Sequence, residues 1–74
     1  MDDTLDLMGL KCPLPALMTR RALARLESGA LLIVTASDPL SVVDIPHMCA
    51  EEGHSVESVT RQEGRAIFRI RRKD

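Results

Sequence analysis

Turn-forming residues cut this 74-residue chain into six short pieces, and that punctuation limits the fold more than any other feature. The breaks fall at Gly9-Leu10-Lys11, Ser28-Gly29, Asp38-Pro39, Gly53 and Glu63-Gly64. Glycine reaches backbone conformations closed to other residues, and proline interrupts helix and strand interiors. Periodicity assigns the pieces. Residues 4–8 alternate polar and apolar, with Leu5 and Leu7 on one side, which predicts a short strand. Residues 13–26 predict a helix, because proline is tolerated in a first turn and the run from Arg20 to Arg25 favours helix. Ser28-Gly29 ends it, with Gly29 expected as a left-handed cap. Residues 30–36 are an unbroken apolar run containing Ile33 and Val34, as suits a central buried strand. Residues 41–52 predict a second helix that ends at Gly53. Pro46 inside it predicts a kink, or a helix that starts only near Asp44. Residues 55–62 and 65–72 predict two strands joined at Glu63-Gly64. The second alternates Ala66, Phe68 and Ile70 with Ile67, Arg69 and Arg71, so it is half buried. In the first, Val56 and Val59 break alternation, which predicts a bulge.

The order is β-α-β-α-β-β. One layer of helix covers one layer of sheet, so the economical solution is an α+β two-layer sandwich: a four-stranded mixed sheet with two helices on one face. A right-handed crossover makes the first two strands parallel, and the last pair is an antiparallel hairpin. The expectation is one domain spanning residues 1–74. A chain of this size buries roughly 60% of its unfolded surface and has no room for a two-domain cleft. Its hydrophobic fraction, 45%, argues against disorder. Phe68 is the only aromatic residue, which argues against a base-stacking platform for single-stranded nucleic acid. Net charge is −1, so bulk charge draws the chain to neither nucleic acid nor membrane. No apolar run reaches membrane-spanning length, and the acidic start Met1-Asp2-Asp3 is unlike a signal peptide. The expected location is a reducing cytoplasm. The last ten residues carry Arg65, Arg69, Arg71, Arg72 and Lys73. They form either a solvated strand end or a docking patch for an acidic partner or RNA.

Two cysteines are too few for a disulfide framework. Cys12 lies in Lys11-Cys12-Pro13-Leu14-Pro15, just before the first helix. Unpartnered first-turn amides, the helix dipole and Lys11 are all expected to favour its thiolate and lower its pKa from about 8.5. Pro13 and Pro15 stiffen the turn that presents the sulfur. Position alone leaves two readings open, a nucleophile or a small buried residue. Cys49 shares an arc with Val42, Ile45 and Pro46, opposite Asp44, His47 and Glu51, which predicts an inert core thiol. Cys12, His47, Cys49 and His54 lack zinc-ligand spacing, so no metal or other cofactor is expected. Both histidines are expected at the surface, and Met8, Met18 and Met48 in the core. On the first helix Pro15, Met18, Thr19, Ala22, Leu23 and Leu26 are expected to face the sheet. Leu14, Leu17, Arg20 and Arg21 fall outside that arc and form a candidate partner-docking surface beside Cys12.

Gly9-Leu10-Lys11-Cys12-Pro13-Leu14-Pro15 resembles the signature of the TusA/SirA family of small sulfur carrier proteins, with its Cys-Pro-x-Pro motif at the start of the first helix. Asp38-Pro39, Asp44-Ile45-Pro46 and Cys49 resemble the family's second strand–helix segment, and the resemblance covers residues 5–72. It implies the same two-layer fold. It implies a sulfur carrier or sulfurtransferase in which Cys12 takes sulfane sulfur as a persulfide and passes it on, a carrier more than a turnover enzyme. Pro13 and Pro15 match the motif prolines, and Lys11 supports the site. The implied donors are cysteine desulfurases or rhodanese-like proteins. The implied acceptors belong to tRNA thiolation, sulfur oxidation or thiosulfate use. Leu14 stands where some relatives place an acidic residue, which bears on partner choice. A monomer without membrane insertion or direct nucleic-acid binding is expected. The alternative is a redox-sensing regulatory or adaptor module that transfers no sulfur.

Overall fold

The computed structural model describes residues 2–74. The elements are β1 (Asp2–Leu7), α1 (Leu14–Ala24), β2 (Leu31–Ala36), α2 (Ser41–Glu52), β3 (Ser55–Gln62) and β4 (Arg65–Arg71). They follow the expected order. The strands form one sheet in the order β1-β2-β4-β3. β1 and β2 are parallel, and β4 is antiparallel to both β2 and β3. The expected bulge in β3 lies between Val56 and Ser58.

Period-two alternation explains where the core sits. Leu32, Val34 and Ala36 of β2 share a face with Ala66, Phe68 and Ile70 of β4 and with Leu7 of β1. Both helices pack on that face, through Leu23 of α1 and through Ile45, Met48 and Cys49 of α2. Phe68 is fully buried on a central strand. The opposite face carries Ile33, Thr35, Ile67 and Arg69, which keep some exposure. No helix among the described residues is long and apolar enough to cross a membrane.

Several expectations change. α1 ends at Ala24, with Arg25 in right-handed conformation as its cap. Gly29 has φ +79 but lies in the turn that enters β2, where its N–H donates to the Arg72 carbonyl at 3.1 Å. The tail supplies part of the helix end, since Arg72 Nε donates to the Leu23 carbonyl at 2.8 Å. Arg71 pairs with Glu57 at 3.0 Å and donates to the Gly29 carbonyl. Two of the tail arginines therefore close the fold. α2 does not wait for Asp44 to begin. The Leu40 carbonyl accepts from the N–H groups of Val43 and Asp44, so the first turn closes before Pro46 is reached. Met8 and Met18 are 45% and 37% exposed, and of these three methionines only Met48 fills the core. Met18 precedes buried Thr19 and falls at the rim of the sheet-facing arc. His54 is half buried and accepts the Lys73 N–H at Nδ1, whereas His47 is exposed as expected.

Candidate functional site

The site follows from the parallel pairing of β1 and β2. Their last residues, Leu7 and Ala36, are register partners, so the loops that follow emerge side by side. Each loop leads into a helix on the same face. The carboxyl ends of parallel strands are where α/β folds gather their chemistry. Here the two loops are tied together. Gly9 N–H donates to Ser37 Oγ at 2.7 Å, and Cys12 N–H donates to Asp38 Oδ2. The other Asp38 oxygen accepts the Leu40 N–H at 3.1 Å. The Leu40 and Cys12 amides, helped by Lys11, hold the Asp38 carboxyl below the usual carboxylate range against the opposing effect of burial. Asp38 is thus the clamp that fixes the backbone of Cys12.

Cys12 is exposed at the entry to α1, and Cys49 is buried. Burial pushes the Cys49 thiol up to about 11. Pro13 is exposed at the N-cap of α1, and Pro15 is buried inside the first turn. Thr19 Oγ1 donates to the Pro15 carbonyl at 2.7 Å, which anchors that turn against the core. Lys11 is exposed, near enough to Asp38 to favour its charge.

The setting of the sulfur differs from the expectation. Cys12 Sγ–H donates to Asp44 Oδ2 at 2.9 Å. That hydrogen bond, then desolvation, then the charges of Asp44 and Asp38, raise the thiol pKa instead of lowering it. The helix end offers few amides to offset this. Pro13 and Pro15 carry no N–H, Leu14 N–H donates to the Lys11 carbonyl, and Leu17 N–H donates to the Pro13 carbonyl. The motif prolines that stiffen the turn also remove two of the amides a thiolate would use, and of the first-turn N–H groups only that of Ala16 is left without a backbone acceptor. Cys12 therefore rests as a thiol.

A groove of about 330 Å³ runs between the helices from this sulfur, lined by Cys12, Leu17, Arg20, Asp44, His47 and Glu51, among others. On the outer side of α1, Leu14, Leu17, Met18, Arg20 and Arg21 line a second depression. The docking residues expected from sequence thus share one surface, and Leu17 and Arg20 connect it to the groove. Leu14 and Leu17 are 45% and 46% exposed. Sequence reasoning missed Asp38 and Asp44 as members of the site. Their signal was the parallel pairing itself, which places the start of the second helix beside that of the first.

Comparison with known proteins bears on the family and the fold. The family model for the sulfurtransferase TusA matches residues 3–72. The chain belongs to the TusA family. The sulfur carrier protein TusA of Pseudomonas syringae pv. syringae is 38% identical over 99% of this chain and 87% of that protein. The protein of the same name from Pseudomonas entomophila is 38% identical over 97% of this chain and 90% of its own length. Among solved structures, the SirA-like protein of Desulfitobacterium hafniense superposes with a TM-score of 0.83 at 26% identity, covering 97% of this chain and 99% of that one. The TusA-family fold is the two-layer sandwich described above.

Proposed function

We propose that this TusA-family chain is a sulfur carrier that takes sulfane sulfur onto Cys12 as a persulfide and hands it to a partner protein. The observation that carries this reading is the contrast between the thiols. Cys12 stands exposed at the mouth of a groove, and Cys49 is sealed in the core. Transfer follows thiol exchange logic, in which the Cys12 sulfur attacks the outer sulfur of a donor persulfide. Donors of the cysteine desulfurase or rhodanese type fit this step, as do acceptors in tRNA thiolation, sulfur oxidation or thiosulfate use. The carrier acts as a cytoplasmic monomer. Leu14 and Leu17 supply an apolar centre for docking, and Arg20 and Arg21 a cationic rim for an acidic partner surface. Arg20 also lines the groove, where it meets the negative charge of a persulfide. The redox-sensor alternative fits less well, because such sites often pair the reactive sulfur with a resolving cysteine, and the second cysteine here, Cys49, is sealed in the core.

Mass spectrometry tests the reading. After incubation with a persulfide donor, the protein gains about 32 Da, one sulfur on the thiol oxidation ladder, at Cys12. Cys12→Ser abolishes the gain and Cys49→Ala keeps it. Loading confined to Cys49, or undiminished in Cys12→Ser, refutes it.

A further inference from the structure

Cys12 as it stands is a poor nucleophile, because the reactive form is the thiolate and this thiol is held protonated. Sulfur uptake through it needs a base. We propose that Asp44 is that base: its carboxylate takes the Cys12 proton as the sulfur attacks, and returns it to the sulfur that leaves. The inference rests on the persulfide reading above.

Geometry singles out Asp44. Its Oδ2 lies 2.9 Å from Cys12 Sγ, within reach for direct proton transfer. It projects from the first turn of α2, whose backbone is pinned there by the Asp44 N–H to Leu40 carbonyl bond at 2.9 Å. The other candidates are engaged or more distant. Both Asp38 oxygens accept backbone amides, from Cys12 and Leu40. His47 and Glu51 line the same groove one and two turns further along α2, and they face each other at 3.6 Å. Arg20, across the groove on α1, is a cation and accepts no proton.

The step balances without an oxidant or reductant. Cys12–SH and donor–S–SH give Cys12–S–SH and donor–SH. The Cys12 S–H bond breaks toward Asp44, a bond forms from Cys12 Sγ to the outer donor sulfur, and the donor S–S bond breaks. The proton then passes from Asp44 to the departing donor thiolate. Handing sulfur to an acceptor thiol runs the same sequence in reverse. An acid–base partner of this kind contributes about 10²-fold or more.

Two rates separate this role from simpler ones. The first is sulfur uptake from glutathione persulfide at pH 7, followed by mass. The second is alkylation of Cys12 by iodoacetamide, which needs thiolate but no proton return. In Asp44→Asn the acceptor and its charge are gone, so alkylation rises while uptake falls about ten-fold or more. Asp44→Glu recovers part of the uptake. Asp44→Ser is the second variant, and far-UV circular dichroism checks that each one folds. The proposal stands if uptake falls while alkylation holds or rises. A rise in both rates makes Asp44 only a suppressor of thiolate and overturns the proposal. Unchanged uptake, or an equal fall in both rates, also overturns it. Wild-type protein that gains no sulfur at Cys12 sinks the carrier reading itself, a failure seen before any Asp44 variant is made.

Discussion

Alkali should weaken this fold through the buried thiol of Cys49. Its side chain is fully buried and its pKa is pushed up to about 11, whereas an unfolded cysteine titrates near 8.5. Between those values the unfolded state has lost a proton that the folded state keeps. The unfolded state binds fewer protons, so stability falls as pH rises, by about 1.4 kcal/mol per pH unit. The loss reaches about 2–3 kcal/mol at pH 10.5. A chain of this length has about 4–11 kcal/mol in total, so the effect is large. The composition makes the experiment clean. With no Tyr and no Trp, thiolate absorbance near 240 nm is unobscured, and far-UV circular dichroism follows unfolding. The measurement is a urea midpoint at pH 7.5 and pH 10.5 in a Cys12→Ser background, which removes the other thiol. With a urea slope near 1 kcal/mol/M the midpoint drops by about 2–3 M. Adding Cys49→Ala lowers stability at pH 7.5 by about 1 kcal/mol through the small cavity it leaves. The same change removes most of the alkaline loss. An alkaline loss equal with and without Cys49 would refute the reasoning. So would thiolate absorbance growing in near pH 8.5 while the chain is still folded.

The acid side carries a separate prediction at His54. Burial, then Lys73 and Arg72, lower its pKa below the usual 6.5, and its Nδ1 accepts the Lys73 N–H. The folded state keeps it neutral where the unfolded state takes up a proton. Its contribution is intact above about pH 6.5 and is lost as pH falls through the lowered folded value. The thermal midpoint should therefore decline from pH 7 to pH 5, and His54→Gln should flatten that decline. An unchanged slope in the variant counts against the assignment. For the core, Phe68→Ala should cost about 3–5 kcal/mol and leave a large unfolded fraction, with Phe68→Leu much milder. A urea midpoint for Phe68→Ala within error of wild type would contradict the placement of Phe68.

Local signals carried most of the fold. Glycine and proline breaks marked the ends of the elements, and alternation marked which side of β4 is buried. α2 matched its expected span, and the β3 bulge appeared where alternation failed. What escaped was non-local. Gly29 was legible as a positive-φ residue, but the α1 terminus depends on Arg72, 49 residues after the Leu23 carbonyl it meets. Met18 and His54 were misplaced for a related reason. A helical wheel gives an arc without its rim, and the closing strand decides what covers the end of α2.

The same distinction explains the setting of Cys12. From the local chain, a cysteine before a helix looks like an activated thiolate, because helix starts usually offer free amides. Two facts reverse that outcome here. The motif prolines remove donors from the turn, and the parallel register brings Asp38 and Asp44 against it from 26 and 32 residues away. A carrier gains from this arrangement. An exposed thiol is open to oxidation in proportion to its thiolate character, so the unloaded carrier, kept as a protonated thiol, survives the wait for a donor. It must still react when a donor persulfide arrives, and a base already bonded to the sulfur answers that need without a standing thiolate. Carboxylates that would be misplaced beside a redox sensor are thus suited to a sulfur that has to wait.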